Sequence, residues 1–257
     1  MEHKYVVVEK RGEIGFLILN RPEVGNLLNQ EFFTEISQTL EELDADHEVR
    51  LIVVKGAGNN FCLGADVAQI VTLDKVGCRN FFLGLNQTWK AFHQIDKVTV
   101  AMVHGYATAG GTLLTLSCDL AIAAEDAKFG VTSVNVGLLC MVGSGVMLPR
   151  IVGAKKALEL GLTGDIISAR EAERLGIVNR VVPMEKLEEA TMELAQKILR
   201  KNPVAVIMGK RNFYTCADME YDKAMEHASE MFGILAATEE AKEGMRAFLE
   251  KREPRWY

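Results

Sequence analysis

Short apolar runs mark β-strands in the first half of the chain. Two β-rich runs, at residues 5–10 and 14–19, flank Arg11-Gly12-Glu13, which is typical of a hairpin turn. Three later runs, at 51–56, 98–105 and 120–124, are apolar almost throughout. Continuous apolar runs of this length are typical of strands buried on both faces. The pattern therefore predicts a β-hairpin followed by buried strands.

Helical spacing appears between these runs. Apolar residues at positions 32, 33, 36, 40 and 43 share one helical face, and Asn29 precedes them. Asn is a favoured N-cap residue, so a helix is predicted from Asn29 to about Asp46. A second, mixed helical stretch covers about 79–95.

The second half of the chain is mostly helical from Val146 onward, and its tail at 218–252 is helical and heavily charged. Glycines at 161, 164 and 176 are predicted helix stops. Strands followed by helices predict one α/β domain with a helical extension. We divide it into a core of residues 1–195 and a C-terminal helical region of residues 196–257.

Composition excludes several classes of protein. The 257 residues are 49% hydrophobic and 25% charged, which is neither disordered nor fibrous. A net charge of -6 gives no overall attraction to nucleic acid or anionic membranes. No apolar run has the length of a signal peptide or a membrane span. The five scattered cysteines contain no CxxC pair, so we expect free thiols, no metal site and a cytoplasmic location.

Two Gly/Ala-rich turns carry the candidate chemistry. FCLGAD at 61–66 and HGYATAGG at 104–111 each follow an apolar strand. Small residues let main-chain N–H groups approach a ligand, and a helix that starts at the second turn would add positive potential. Two such amides that converge on one point would form an oxyanion hole.

Nearly the whole chain resembles the crotonase (enoyl-CoA hydratase/isomerase) superfamily. The resemblance lies in an ordered series of matching words: LNRPEVGNLLN (19–29), FCLGAD (61–66), VHGYATAGGTLLTLSCDLAIA (103–123), FG (129–130), LPRIVG (148–153), LTGDIISAREAERLGIVNRVV (162–182) and EGMRAFLEKREP (243–254).

This resemblance implies an α/β fold, a spiral of ββα turns with a C-terminal helical trimerisation region. It implies a homotrimer or a dimer of trimers, with an acyl-CoA thioester as substrate and no other cofactor or metal. The oxyanion hole would use the amides of Ala65 and Gly110. The resemblance also implies the residues that contact the substrate and coenzyme A, which are Arg21, Leu63, Ala65, Asp66, Val67, Gly110, Leu113 and Cys140.

The chain departs from the family at the two positions that carry acid/base chemistry. Typical hydratases have one Glu just after the Gly-rich hole segment and another in a Pro-Glu pair after FG. Here these positions are Leu113 and Ser133. Leucine cannot move a proton, and a serine hydroxyl is a poor base without an activating partner. Thr132 and Ser133 are the candidate catalytic hydroxyls, although such side chains also commonly bond local main-chain groups.

Three functions stay open. The first is a hydratase/isomerase-family lyase or isomerase without the Glu pair. The second is a methylmalonyl-CoA-type decarboxylase, which the stretch from Thr132 to Cys140 partly resembles, and which needs no base because loss of CO2 supplies the electrons. The His and Tyr of those decarboxylases fall at Ala65 and Cys140 here. The third is a catalytically silent acyl-CoA binder.

Other polar residues near these words have a plainer interpretation. We interpret Asn135 and His104 as structural, and Glu159 as an ordinary helix residue. Cys140 lacks a recognisable His partner, and a free Cys often packs as a small apolar group. Asp66 is expected to cap a helix or to contact coenzyme A.

Overall fold

The computed structural model of the protein describes residues 3–139 and 144–256. Strands β1 (Val6–Arg11) and β2 (Ile14–Leu19) form the predicted hairpin, with antiparallel pairing from Val6 opposite Leu19 to Arg11 opposite Ile14. Gly12 in the turn has φ 60°, a left-handed conformation that suits glycine.

The elements that follow are α1 (Gln30–Ala45), β3 (Leu51–Gly56), α2 (Val67–Ile70), α3 (Lys75–Gln94) and β4 (Val98–Val103). All of them except the short α2 were predicted from the sequence pattern. The side chain of Asn29 accepts a hydrogen bond from the Phe32 amide at 2.8 Å, so the predicted cap of α1 is confirmed. Helix α3 begins before residue 79 because Asp74 caps it, accepting from the Gly77 amide at 2.7 Å.

Short elements then alternate with helices. They are β5 (Tyr106–Thr108), α4 (Gly110–Ser117), β6 (Leu120–Ala124), β7 (Lys128–Gly130), α5 (Ser144–Val152), α6 (Ala154–Thr163), β8 (Ile166–Ser168), α7 (Ala169–Arg174) and β9 (Arg180–Val182). Gly164 and Gly176 have positive φ and follow α6 and α7 as predicted. The predicted stop at Gly161 is wrong, because Gly161 is buried inside α6, which continues to Thr163.

Four helices complete the chain: α8 (Leu187–Leu199), α9 (Pro203–Ala217), α10 (Tyr221–Ala236) and α11 (Glu239–Leu249). The predicted helical tail is confirmed. The predicted boundary at residue 195 lies inside α8, and the division into two parts stays a prediction.

The larger sheet has the order β1-β2-β3-β4-β6-β9, and its strands are parallel from β2 onward. Leu17 and Ile52 face a core shared with α1 and α3, whereas Phe16 and Val53 face a second core shared with α8. Burial on both faces explains why these strands are continuously apolar. Parallel strands end at one edge, and the loops that follow β3 and β4 therefore meet there.

A buried ion pair holds α9 against the opposite edge of this sheet. Lys210 donates to Asp119 at 2.9 Å, and their side chains are only 5% and 12% exposed. Asp119 also accepts from the amide and hydroxyl of Thr99 and from the Tyr214 hydroxyl, at 2.7 to 2.9 Å. Lys210 donates further to two main-chain carbonyls at 2.8 and 2.9 Å. The C-terminal helices are thus anchored at the start of β4 and β6.

Across residues 3–139 and 144–256, no helix combines the length and apolar composition needed to cross a bilayer. Within the same ranges, His, Cys, Asp and Glu side chains form no group of three that could hold a metal ion.

Candidate active site

The two Gly/Ala-rich turns lie side by side. The Phe61 amide donates to the main-chain carbonyl of His104, and the Cys62 amide donates to that of Tyr106, both at 3.0 Å. In return, the Thr108 amide donates to the Cys62 carbonyl at 3.0 Å. These bonds form a short parallel pairing centred on Cys62 and Ala107. Segments that are distant in sequence are therefore in register just before the two amides of interest.

Peptide geometry sets the direction of the Ala65 N–H. The Gly64 carbonyl accepts from the Leu28 amide at 2.8 Å, and the Asp66 amide donates back to the Leu28 carbonyl at 2.9 Å. In a trans peptide the C=O and the following N–H point in opposite directions. The Ala65 N–H therefore points away from Leu28, and it has no hydrogen-bond partner among residues 3–139 and 144–256.

The same reasoning orients the Gly110 N–H. Gly110 is the first residue of α4, and the Ala109 carbonyl accepts from the Leu113 amide at 3.2 Å inside the helix. The Gly110 N–H, on the other side of that peptide, points out of the helix N-terminus. No residue of the described ranges accepts from it. The helix dipole adds positive potential at this point.

The two amides are close to each other. A β-carbon placed on Gly110 would lie 3.5 Å from the Ala65 nitrogen, and one placed on Gly64 would lie 3.0 Å from the Gly110 nitrogen. A β-carbon on Gly111 would lie 1.9 Å from the Cys62 carbonyl oxygen. Glycine at positions 64 and 111 therefore lets the main chains approach so closely. The structure thus brings Ala65 and Gly110 together, and their N–H groups have no acceptor among the residues that the structure describes, as an oxyanion hole requires.

Ala109 enters α4 in a strained conformation. Its φ of 47° and ψ of -113° are rare for a residue with a β-carbon. Two interactions hold this conformation. The Ala109 amide donates to the Gly130 carbonyl at 2.8 Å. The buried Thr112 hydroxyl accepts from the Gly130 amide at 3.1 Å and donates to the Ala107 carbonyl at 2.6 Å.

The residues at the two acid/base positions lie next to this turn. Leu113 is 6% exposed and lies one helical turn after Gly110, and helical side chains lean toward the N-terminus. Strand β7 pairs with β5, with Gly130 opposite Thr108. Residues after Gly130 therefore leave the sheet beside Ala109. Thr132 and Ser133 follow as half-buried residues at the start of a 3-10 helix, Thr132–Val136.

The predicted coenzyme A residues form a cluster beside Ala65. Arg21 donates to Asp66 at 2.7 Å, and their side chains are 17% and 11% exposed. Asp66 also accepts from the Ala68 amide at 3.1 Å, so the predicted helix-capping role is confirmed. Half-buried Leu63 packs over Gly25, whereas Val67 is 45% exposed. The contacts of these residues with coenzyme A stay predictions.

The side chains interpreted as structural have structural partners. His104 is bonded to the Gly58 carbonyl through Nε2 at 2.9 Å. The Asn135 amide donates to the Gly164 carbonyl at 3.3 Å. Glu159 forms an exposed ion pair with Lys156 on α6. Cys140 lies outside the described residues.

Cys62 lies three residues before Ala65 and is fully buried. Its thiol donates to the Asn26 carbonyl at 3.2 Å. Burial raises the pKa of this thiol to about 12, so it stays protonated near neutral pH. Cys62 therefore packs as an apolar residue and is no nucleophile.

Two residues that bond the Gly/Ala-rich turns were not predicted from the sequence. Asn26 is fully buried with φ 58°, and its side chain bonds the loop that precedes Cys62. Thr112 bonds the turn that precedes Gly110. Asn26 lies within the word LNRPEVGNLLN and Thr112 within the Gly-rich word, but neither pattern shows that the side chain is buried.

Comparison with known proteins places this geometry in a family. Residues 9–257 match the family model described as enoyl-CoA hydratase/isomerase. The crotonyl-CoA hydratase of Syntrophomonas wolfei is 36% identical over 253 residues, which are 98% of this chain and 97% of the relative. The short-chain-enoyl-CoA hydratase of Clostridium acetobutylicum is 34% identical with the same coverage. The crystal structure of the Mycobacterium smegmatis enoyl-CoA hydratase superposes with a TM-score of 0.95 at 34% identity, covering 98% of this chain and 99% of that one. The predicted crotonase-type fold is confirmed, and the chain belongs to the enoyl-CoA hydratase/isomerase family.

Proposed function

We propose that the protein is an acyl-CoA enzyme that holds the thioester carbonyl oxygen between the amides of Ala65 and Gly110. The observation that carries this proposal is the pair of neighbouring main-chain N–H groups without partners in the described residues. As the α-carbon of a thioester becomes nucleophilic, negative charge grows on the carbonyl oxygen. Fixed donors stabilise this enolate, and loss of one such donor typically costs about 3–4 kcal/mol.

The substrate class follows from the family and from the setting of the hole. Relatives that share nearly the full length of this chain are named crotonyl-CoA and short-chain-enoyl-CoA hydratases. The Arg21–Asp66 pair fixes the loop that leads away from Ala65, and half-buried Leu63 gives that loop an apolar face. The thioester is the only bound group that the proposed reaction requires, because main-chain amides stabilise the oxyanion.

The reaction is one that runs without carboxylates at positions 113 and 133. Leu113 presents a buried apolar side chain, and Ser133 presents a hydroxyl. Proton transfer then falls to the hydroxyls of Thr132 and Ser133, to water or to a group of the substrate itself. A lyase or isomerase acting on a substrate with its own acid or base fits these conditions.

A second candidate is decarboxylation of a malonyl-type CoA thioester. The buried Leu113 favours it, because an apolar side chain beside the hole disfavours a charged substrate carboxylate and promotes loss of CO2. Thr132 and Ser133 begin this segment, and each carries a hydroxyl that can donate to such a carboxylate.

The test is a mass-spectrometric screen of the purified protein against crotonyl-, 3-hydroxyacyl-, 3-enoyl- and methylmalonyl-CoA. Gain or loss of water identifies a hydratase, a mass-neutral change of retention time identifies an isomerase, and loss of CO2 identifies a decarboxylase. Binding of every thioester without turnover would refute the enzyme proposal for this panel and favour the silent acyl-CoA binder.

We also infer that helices α9–α11 join copies of the chain into a trimer, or a dimer of trimers. In α9–α11, the only buried residues are Lys210 and Ala247. Large apolar side chains on them are open to solvent in a single chain: Phe213 is 68% exposed, Phe232 75% and Phe248 82%. Such a surface is typical of a protein–protein interface.

Size-exclusion chromatography with light scattering measures the assembly directly. The 28.4 kDa chain should elute as a multiple of three chains. Phe232→Asp places a charge in the apolar surface and should yield smaller species, whereas Val7→Asp on β1 should not. A monomeric wild-type protein would refute this inference.

A further inference from the structure

The most extensively bonded buried side chain near the hole is Asn26. It is 0% exposed. Its amide nitrogen lies 3.0 Å from the Ala57 carbonyl oxygen, 2.9 Å from that of Asn60 and 3.1 Å from that of Phe61. Its side-chain oxygen accepts from the Arg21 amide at 2.8 Å. Both halves of the carboxamide are therefore used.

This network determines which way the carboxamide points. Three carbonyl oxygens surround one end, and a main-chain N–H faces the other end. Only the NH2 group can donate to carbonyls, so the reverse orientation would place oxygen against three oxygens. The main chain of Asn26 has φ 58°, a left-handed conformation that Asn adopts more readily than most residues.

The bonded loop leads directly into the hole. Phe61 is four residues before Ala65, and its carbonyl is bonded by Asn26 while its amide donates to the His104 carbonyl at 3.0 Å. The residue before Asn26 also takes part, because the Gly25 carbonyl accepts from the Leu63 amide at 3.0 Å. The turn around Asn26 therefore holds the chain on both sides of Cys62.

We propose that Asn26 is a positioning residue for the oxyanion hole, acting through the 57–63 loop to set the direction of the Ala65 N–H relative to that of Gly110. This inference rests on the proposed use of these amides in binding a thioester carbonyl. Asn26 does not touch the reacting atoms. It holds the main chain that carries the Ala65 N–H. Thr112 holds the main chain that carries the Gly110 N–H, because it bonds Ala107 and Gly130.

The decisive variant is Asn26→Asp, which keeps the size of the side chain but replaces the donor by a carboxylate oxygen facing three carbonyls. Asn26→Ser is the milder variant, because its hydroxyl retains a single donor, and it serves if Asn26→Asp does not fold. Thr99→Val is the matched control. It removes the hydroxyl that donates to the Asp119 carboxylate and accepts from the Asp119 amide at the opposite end of β4, and it lowers stability without touching the hole.

Butyryl-CoA labelled with 13C at the thioester carbonyl is the probe, since a saturated acyl chain has no double bond to hydrate or to isomerise. Hydrogen bonds from the hole lower the stretching frequency of this carbonyl, which isotope-edited infrared difference spectra record. We expect the carbonyl frequency to shift on binding by the same amount in wild type and in Thr99→Val. The shift should be smaller in Asn26→Ser and less than half the wild-type value in Asn26→Asp. For a thioester that is turned over, kcat should fall about 100-fold in Asn26→Asp with KM changed less than about threefold.

A full carbonyl shift in Asn26→Asp would overturn the positioning role. Absence of a shift in wild type would instead refute the proposed function, and ligand-free crystal structures then test Asn26 separately. Displacement of the Ala65 nitrogen from the Gly110 nitrogen in Asn26→Asp, but not in Thr99→Val, supports the role. An unchanged separation overturns it.

Discussion

Gly64→Ala should disable the hole while most of the fold remains. Gly64 has φ 110°, outside the left-handed region that alanine can reach at modest cost. Its new methyl group would lie 2.7 Å from the Ala109 β-carbon, 3.0 Å from the Gly110 nitrogen and 3.1 Å from the Thr108 carbonyl oxygen. Because carbon atoms pack at about 3.5–4.0 Å, the two segments must separate by about 1 Å.

That displacement sets the expected loss of activity. A misplacement of about 1 Å costs about 100-fold in rate, and loss of one hole donor costs about 100- to 1000-fold in kcat. We therefore expect kcat of Gly64→Ala to fall by about 100- to 1000-fold, or roughly 3–4 kcal/mol in activation free energy.

The assay is steady-state turnover of whichever thioester the screen identifies, with urea unfolding of each variant in parallel. Gly12→Ala is the matched control, because Gly12 also has positive φ (60°) but has no neighbour within 4 Å of a new β-carbon. It should lose about 1–2 kcal/mol of stability and no activity. A folded Gly64→Ala with kcat within about threefold of wild type would refute the assignment of the hole to Ala65 and Gly110.

Three further predictions concern other parts of the molecule. Lys210→Met should lower the free energy of unfolding in urea by about 3–5 kcal/mol, because it leaves the buried Asp119 carboxylate without its cation. Lys156→Met, which breaks an exposed ion pair, should lower it by less than about 1 kcal/mol. Equal effects of the two substitutions would contradict this account. The Cys62 thiol, with its pKa raised by burial to about 12, should resist alkylation at pH 8.5 in the native protein and react on unfolding, as peptide mass spectrometry would show. Hydrogen bonds from Arg252 lower the pKa of the Glu243 carboxyl from 4.5 to about 2. The stabilising effect on the C-terminal tail is therefore fully present above pH 4.5 and is lost as the pH falls toward 2. Hydrogen-exchange protection factors of the tail, corrected for intrinsic rates, that stay unchanged from about pH 6 to about pH 2 would contradict this.

Local chemistry explains which elements the sequence pattern predicts. The hairpin, α1 with its Asn29 cap, β3 and β6 depend on nearby residues, and the structure has them within one or two residues of the predicted bounds. Strands β5, β7, β8 and β9 have three residues each and were not predicted. Their pairing depends on distant partners, which a local pattern does not contain.

The candidate site shows the same division. Ala65 and Gly110 are 45 positions apart, and only the family resemblance predicted that they meet. The sequence pattern did not predict that the side chains of Asn26 and Thr112 bond the two turns that carry these amides. A buried Asn26 with four partners has the same local sequence features as an exposed turn residue, because burial is decided by packing elsewhere in the chain.

The donors at Ala65 and Gly110 belong to the polypeptide backbone, and nearly every amino acid carries the same N–H. In the proposed site, mutation of nearby side chains can therefore replace one proton-transfer group by another while the two main-chain donors stay in place. Positions 113 and 133 are then the places where evolution can change the reaction without dismantling the scaffold. The same separation lets a protein engineer introduce new acids, bases or binding groups there and retain the two main-chain donors of the proposed oxyanion hole.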